Sequence, residues 1–586
     1  MRVTVRIGLL VLALLLLVVL LQVAPAEPQA AVVRGETGKT LDEYLSRLEK
    51  FGFSGAAIAS KGGEIILSKG YGWADRAKKI LFTPTTVNSI GSITKQFTAA
   101  AILKLEMMGK LKVEDPISKY FPNVPADKSE ITIHHLLTHT AGFRGNFGGR
   151  DDEAISRDDL VKLVLAAPLE NKPGERFEYS NEGYSLLGAI VEIASGQSYE
   201  KFLREQIFLP AGMRDTGYML PAWPAERVAR GYNEVGEWGT IREKNWTADG
   251  PGWYLKANGG IYSTVGDMHR WATALESDKV LSKEAREKYQ KGYVAEGPMG
   301  MSHYAYGWSV ETTPRKTKLV MHNGGNGIFF ADFLRFVDEG ATLFVFSNST
   351  EQPATEVSGP MARALFGGDF RMPPAVAAVG AAELVRVAGT YALDSGEKVE
   401  VSVADNHLKI SAAGAAFALV NGLAPAGSAR FAEMEKRTKA AVEASAKGEY
   451  ALMQAAFGGE MPIERVREQE NGMWQRRRGR FGEFRGAEIV GTARSGPGIG
   501  VNVRLTFERG TQVVRFVWDA GQLAGVRVLD RMPDVAFYPT SATEFTTFSL
   551  RQPVSVRLKF AVDERGAATK MTIAGEGGEI GGRRTK

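Results

Sequence analysis

The stretch SITKQFTAAAILKLEMMGK, residues 92–110, decides the reading of this chain. It has no proline, and no glycine before Gly109, so it predicts a buried helix with Ser92 at its start and an apolar stripe of Phe97, Ala101, Leu105 and Met108. Residues three apart on a helix share a face, which brings Lys95 toward the Ser92 hydroxyl. The unpaired N–H groups and dipole of the first turn favour negative charge there. A serine hydroxyl holds its proton far above neutral pH, so a serine that attacks a carbonyl needs a base beside it, and this spacing supplies one.

The same tetrapeptide pattern occurs at Ser198–Lys201 and Ser395–Lys398. Ser198 stands where a helix cap is expected and Ser395 lies in a turn between strand-like segments. Context separates Ser92 from both. Tyr179-Ser180-Asn181 and His322-Asn323-Gly324-Gly325 follow it, in that order, over one domain length. Read with these, Ser92 points to a serine hydrolase.

At 586 residues the chain exceeds what a single core organises, and its 44% apolar content is that of globular protein. At the N-terminus, Arg2 and Arg6 precede an apolar run over 7–23 and then Ala24-Pro25-Ala26, the small-x-small form of a signal peptidase site. This predicts a signal peptide over 1–26 and export to the periplasm or the extracellular space, the alternative being retention as an N-terminal membrane anchor. With no cysteine, disulfides, thiolate metal ligands and a cysteine nucleophile are all excluded. A net charge of +5, with basic and acidic residues interleaved, gives nucleic-acid binding no support. The basic run Arg476-Arg477-Arg478-Gly479-Arg480 reads as a solvated strand or turn. There is no HExxH, P-loop or dinucleotide fingerprint, so no metal or cofactor is expected.

Two strands joined at Lys61-Gly62-Gly63 precede the Ser92 helix, and a mainly helical middle follows it. Three strands then run from about residue 318, the first carrying His322 and its glycines to a sheet edge. The Gly-, Pro- and Ala-rich segment 367–382 reads as a linker. Beyond it, strand patterns in 383–424 and 533–578 predict a small β-barrel, interrupted over 426–531 by a long amphipathic helix and a second strand group. The glycine-rich end, GEGGEIGGRRTK, reads as a mobile tail.

These residues resemble the serine β-lactamase-like hydrolases of the class C type, which include penicillin-binding DD-peptidases, esterases and D-amino-acid peptidases. The likeness covers roughly residues 40–366. The family pattern of serine-x-x-lysine, tyrosine-x-asparagine and lysine- or histidine-x-glycine matches Ser92 and Lys95, Tyr179 and Asn181, and His322 and Gly324. HLLTHTAGF, from His135, is similar to a further family segment, and its histidines read as packing residues. The resemblance implies an α/β fold in which an antiparallel sheet is flanked by helices, with an all-helical subdomain and β-rich C-terminal modules behind it. The barrel resembles the lipocalin-like tails of such hydrolases, and the 426–531 insert resembles the nuclear-transport-factor-2 type of fold.

Roles follow from chemistry. Lys95 or Tyr179 serves as general base, the two titrating as a coupled pair. Asn181 holds a substrate carbonyl or the lysine, or caps a helix. Backbone N–H groups of Ser92 and Gly325 stabilise the oxyanion, and Gly324 and Gly325 allow close approach. His322 stands where many relatives carry lysine; only partly cationic at neutral pH, it makes a weaker carboxylate clamp. The expected substrate is a small molecule or peptide. It is a D-Ala-D-Ala peptidoglycan stem peptide, an ester or a β-lactam; the rival to all three is a catalytically silent protein that binds the cell wall or a partner.

Overall fold

A computed structural model describes residues 30–143, 153–233, 236–244, 246–297, 300–412, 414–424, 429, 431–459, 462–495, 498–519, 521–529, 535–550, 555–575 and 578–585. The expected signal peptide lies outside these residues. Among them no helix is long and apolar enough to cross a membrane. Two compact units form, one built on Ser54–Ser358 and one on Glu43–Phe53 with Gly359–Lys586.

The first unit carries a nine-stranded antiparallel sheet. Its strands run in the order Val32–Val33, Glu64–Tyr71, Gly55–Lys61, Ala341–Ser347, Phe330–Phe336, Lys318–Gly325, Ser309–Thr312, Ser302–Tyr304 and Val294–Ala295. Strands that read as continuous apolar runs sit in its middle: every residue of Ala341–Ser347 is buried, as is all of Gly55–Lys61 except Lys61. That pattern belongs to a sheet covered on both faces. The helix Val265–Ala274 packs on these two strands. With the helices Ile133–Leu137, Arg157–Ala166 and Asn181–Ser195 forming the helical middle, this is the β-lactamase/transpeptidase-like α/β architecture.

One expectation changes here. The Ser92 helix, Thr94–Met107, is buried on every face from Thr94 to Leu103 rather than along one stripe, and Met108, placed on that stripe, is 45% exposed. Lys318–Gly325 has a neighbour on both sides only as far as Met321, where pairing with Ser309–Thr312 stops. From His322 on it is a local sheet edge, with His322, Gly324 and Gly325 pairing only with Phe333, Ala331 and Phe330. The sheet is therefore one strand short where those glycines lie.

Ser92 sits in a 3-10 turn, Gly91–Ile93, that feeds the Thr94–Met107 helix. This turn and the strand end meet backbone to backbone. Gly91 has φ +53°, and a Cβ there would lie 2.4 Å from Gly325 N. A Cβ on Gly324 would lie 2.0 Å from Ile90 O and 2.8 Å from Ser92 N. Only glycine fits this seam, which brings the backbone of the Ser92 turn against that of Gly324 and Gly325.

The second unit contains a closed eight-stranded barrel. Its strands are Gly389–Leu393, Lys398–Ala404, His407–Ala412, Val535–Pro539, Glu544–Thr546, Arg557–Val562, Ala568–Gly575 and Gly578–Arg584. Tyr391, Phe537, Phe545 and Phe560 are among the side chains of its core. The glycine-rich end is thus a strand and not a mobile tail: Gly578–Arg584 pairs with Ala568–Gly575 and with Gly389–Leu393, closing the barrel. Closure uses backbone hydrogen bonds, which need no apolar side chain.

Between the barrel halves, helices Ala432–Ala446, Ala451–Ala456 and Ile463–Phe481 accompany a four-stranded sheet, Phe484–Ser495, Gly498–Phe507, Gly510–Asp519 and Gln522–Leu529. The single long helix read from the sequence is broken at Gly448, whose φ is +85°. The basic run 476–480 belongs to the helix Ile463–Phe481, not to a strand or turn. Arg477 there is 5% exposed and donates from Nε to Gln512 Oε1 at 2.9 Å, so its charge faces a core and not solvent.

The glycine seam makes a prediction. Gly324→Ala forces two backbones apart, and overpacking costs about 1–3 kcal/mol even where side chains can yield. Activity should fall more than tenfold and the melting temperature should drop, whereas Gly297→Ala, whose Cβ meets nothing within 4 Å, should leave both unchanged. Assay and thermal melt of the two variants check this.

Candidate active site

Lys95 is wholly buried, and its ammonium nitrogen sits among three oxygens. Nζ is 3.1 Å from Ser92 Oγ, 2.7 Å from Asn181 Oδ1 and 2.9 Å from the Asn258 carbonyl. These come from the turn before its own helix, from the first turn of Asn181–Ser195, and from the loop at 258. A buried amine needs such company. As NH3+ it donates to all three; as NH2 it donates to the two carbonyl oxygens, which only accept, and receives the Ser92 O–H on its lone pair. Both protonation states are satisfied without rearrangement, which is what a proton acceptor for Ser92 requires.

Asn181 is not a helix cap. Ser180 is the N-cap, its side chain accepting from Gly183 N at 3.1 Å, and this leaves the Asn181 amide free to face Lys95. Asn258 is held in turn, its Nδ2 donating to Tyr254 O at 2.6 Å and to Ser185 Oγ at 2.9 Å.

Tyr179 lies against the amine, with Lys95 Nζ 4.7 Å from the centre of its ring. Burial pushes the phenol above its ordinary range, the Ser92 hydroxyl opposes this, and Glu296 adds to it. Tyr179 therefore keeps its proton at neutral pH.

His322 is 5% exposed, with Nδ1 2.5 Å from the Asn323 carbonyl and Nε2 3.0 Å from Tyr304 Oη. A carbonyl only accepts, so Nδ1 carries the proton and Nε2 of the neutral ring accepts from Tyr304. Burial, reinforced by the nearby charge of Lys95, lowers His322 to about 4, against the Asn323 hydrogen bond. The expectation of a partly cationic clamp is corrected: at neutral pH His322 is uncharged and both ring nitrogens are engaged. Gly324 and Gly325 follow it into the seam beside Ser92.

The structure thus brings Ser92, Lys95 and Asn181 into one hydrogen-bonded cluster, with the Tyr179 ring against Lys95 Nζ and with Gly324 and Gly325 against the Ser92 turn. His322 is near enough for its ring centre to stand 6.4 Å from that of Tyr179. Two participants escaped the sequence reading. The Asn258 carbonyl is backbone and has no side-chain signature, and Tyr304 gave no motif at all. His139, read as packing, does pack there, its ring 4.3 Å from that of Tyr179. Among the described residues no cluster of His, Cys, Asp or Glu is arranged to hold a metal ion.

The sequence profile of the family described as Beta-lactamase matches residues 32–367. Penicillin-binding protein 4* of Bacillus subtilis (strain 168) is 30% identical over 406 residues, covering 64% of this chain and 87% of that protein. The putative penicillin-binding protein PbpX of the same organism is 36% identical over 254 residues, 43% of this chain and 62% of its own length. The octameric penicillin-binding protein homologue from Pyrococcus abyssi superposes with a TM-score of 0.50 at 20% identity, over 93% of this chain and 100% of that one, a likeness of fold.

The buried neutral imidazole makes a prediction about acid. His322 is lowered from 6.5 in the unfolded chain to about 4 in the folded one, so the folded state binds fewer protons between these values. Its contribution is complete above 6.5 and is lost as pH falls toward 4, at most about 3 kcal/mol. Wild type should lose more of its melting temperature between pH 7 and pH 4.5 than His322→Gln, which has no group to titrate. Equal losses in the two proteins contradict the assignment.

Proposed function

As a member of the beta-lactamase family of serine hydrolases, the chain is one that we propose forms an acyl-enzyme at Ser92 and hydrolyses amide or ester bonds. The observation that carries this is the fully buried Lys95 Nζ, 3.1 Å from Ser92 Oγ and satisfied in either protonation state by two further oxygens.

In this reading Ser92 Oγ attacks the substrate carbonyl while its proton passes to Lys95. The oxyanion takes hydrogen bonds from the N–H groups of Ser92 and Gly325 at the glycine seam. As the tetrahedral adduct collapses, the leaving amine or alcohol receives a proton through Tyr179, whose phenol is held protonated by burial. Water then attacks the acyl-enzyme, delivering its proton along the same path, and Ser92 is regenerated. The division of labour follows from the two environments: Lys95 is the base, Tyr179 the relay, and Asn181 the group that keeps the amine aimed.

The neutral His322 bears on the substrate. With no charge and no spare donor on its ring, it gives a substrate carboxylate no ion pair, which favours an uncharged group at that place. We therefore rank uncharged esters and amides, including D-amino-acid derivatives, ahead of substrates recognised by a terminal carboxylate. The names of the two Bacillus relatives keep penicillin among the acylating agents to be tried. Export belongs to the same proposal, supported by Arg2, Arg6, the apolar run 7–23 and Ala24-Pro25-Ala26.

The test is turnover of p-nitrophenyl acetate, of D-phenylalanine amide and of a D-Ala-D-Ala peptide by wild type and Ser92→Ala. Wild type should act on the ester or the amide with a higher kcat/KM than on the peptide, and Ser92→Ala should lose activity by at least about a thousandfold. Turnover surviving in Ser92→Ala refutes the nucleophile, and a preference for the peptide refutes the role given to His322.

A further inference from the structure

His139 holds an unusual place that the mechanism above does not use. It is 2% exposed, it is one of five non-glycine residues with positive φ among the described residues, at +57°, and it lies in the loop after the Ile133–Leu137 helix. Such a backbone is strained and persists only where the surroundings hold it. What holds it is the chain on either side of Tyr179. The His139 carbonyl accepts from Glu178 N at 2.8 Å, and its ring Nδ1 accepts from Ser180 N at 3.0 Å. Between these two anchors, its ring stands 4.3 Å from the Tyr179 ring at 35°.

The other faces of the imidazole are closed. Phe177 meets it at 5.7 Å, Tyr184 at 4.9 Å and Tyr304 at 4.6 Å. Because Nδ1 accepts from a backbone N–H, it bears no proton, and Nε2 carries the only one; that nitrogen is buried and has no hydrogen-bond partner among the described residues. An imidazole that served packing alone could be replaced by any ring. This one is used as an acceptor, at the residue that both follows Tyr179 and caps the helix beginning with Asn181.

We propose that His139 is the positioning residue for Tyr179, clasping residues 178 and 180 so that the phenol stays directed at Ser92 while its ring buttresses the phenol face. The inference rests on the reading of Tyr179 as proton relay.

Two variants separate the acceptor from the ring. In His139→Asn the amide oxygen stands close to the Nδ1 position, and asparagine tolerates positive φ, so the clasp on Ser180 N survives without the ring. In His139→Phe the ring survives without the acceptor, leaving a buried N–H unpaired. With D-phenylalanine amide as substrate, whose leaving amine needs the relayed proton, His139→Phe should lose at least tenfold in kcat with KM within threefold of wild type. His139→Asn should stay within threefold in kcat. Should His139→Phe fail to fold, His139→Gln, which also withholds an acceptor at the Nδ1 position, replaces it in the comparison. Wild-type kcat in the acceptor-less variant, an equal loss in both variants, or a loss confined to KM overturns the proposal. Tyr179→Phe is measured alongside. If it keeps wild-type kcat, the relay falls and the positioning role with it; if it collapses while the acceptor-less His139 variant does not, only the positioning role falls.

Discussion

Burying an amine obliges a protein to surround it with acceptors, and the catalytic unit is organised around that obligation at Lys95. Its three oxygens come from the Ser92 turn, from the start of the Asn181–Ser195 helix and from the 258 loop, segments far apart in the chain. Each is fixed by bonds of its own. Ser180 caps the helix that presents Asn181, and Ser185 of that helix receives the Asn258 amide. Meeting the needs of the amine therefore assembles the groups that surround Ser92.

A second constraint is steric. Gly91 and Gly324 let a 3-10 turn and a strand end approach at backbone distance, where any side chain would collide. The strand beyond Met321 has lost its neighbour on one side, so the seam stands where the sheet stops. Alongside it, His322, Tyr304, His139 and Tyr179 form an aromatic wall without formal charge. A single buried cation next to an uncharged wall suits a carbonyl that becomes an oxyanion for a moment, since charge develops where little else competes for it.

How much of this was legible in the sequence depended on what kind of atom did the work. Ser92, Lys95, Tyr179 and Asn181 are side chains in short motifs, and helical spacing alone pairs the first two. The Asn258 carbonyl could not be read, because every residue has one. His139 packs among aromatic rings as read, and what the sequence could not show is that its ring nitrogen accepts from the Ser180 backbone. His322 was given partial charge because its ordinary titration range was assumed; burial removes that charge, and burial is a property of the fold. In the second unit, the strand patterns of Lys398–Ala404 and Arg557–Val562 alternate clearly, with Val399, Val401, Leu558 and Phe560 inward, and were found. Gly578–Arg584 was mistaken for a tail because a strand of mostly small and charged residues shows no alternation. Arg477 was mistaken for surface because a run of arginines hides the one that turns inward.

The measurement that bears most directly on the account is the rate at which a small fluorophosphonate phosphonylates Ser92, followed by intact mass in wild type, Lys95→Met and Tyr179→Phe. Phosphonylation needs the serine proton removed and leaves fluoride, which needs little help to depart, so it isolates the base from the relay. With Lys95 as base, Lys95→Met should slow labelling by about a hundredfold to ten-thousandfold while Tyr179→Phe stays within about tenfold of wild type. Labelling of folded Lys95→Met at the wild-type rate would contradict the account at its centre.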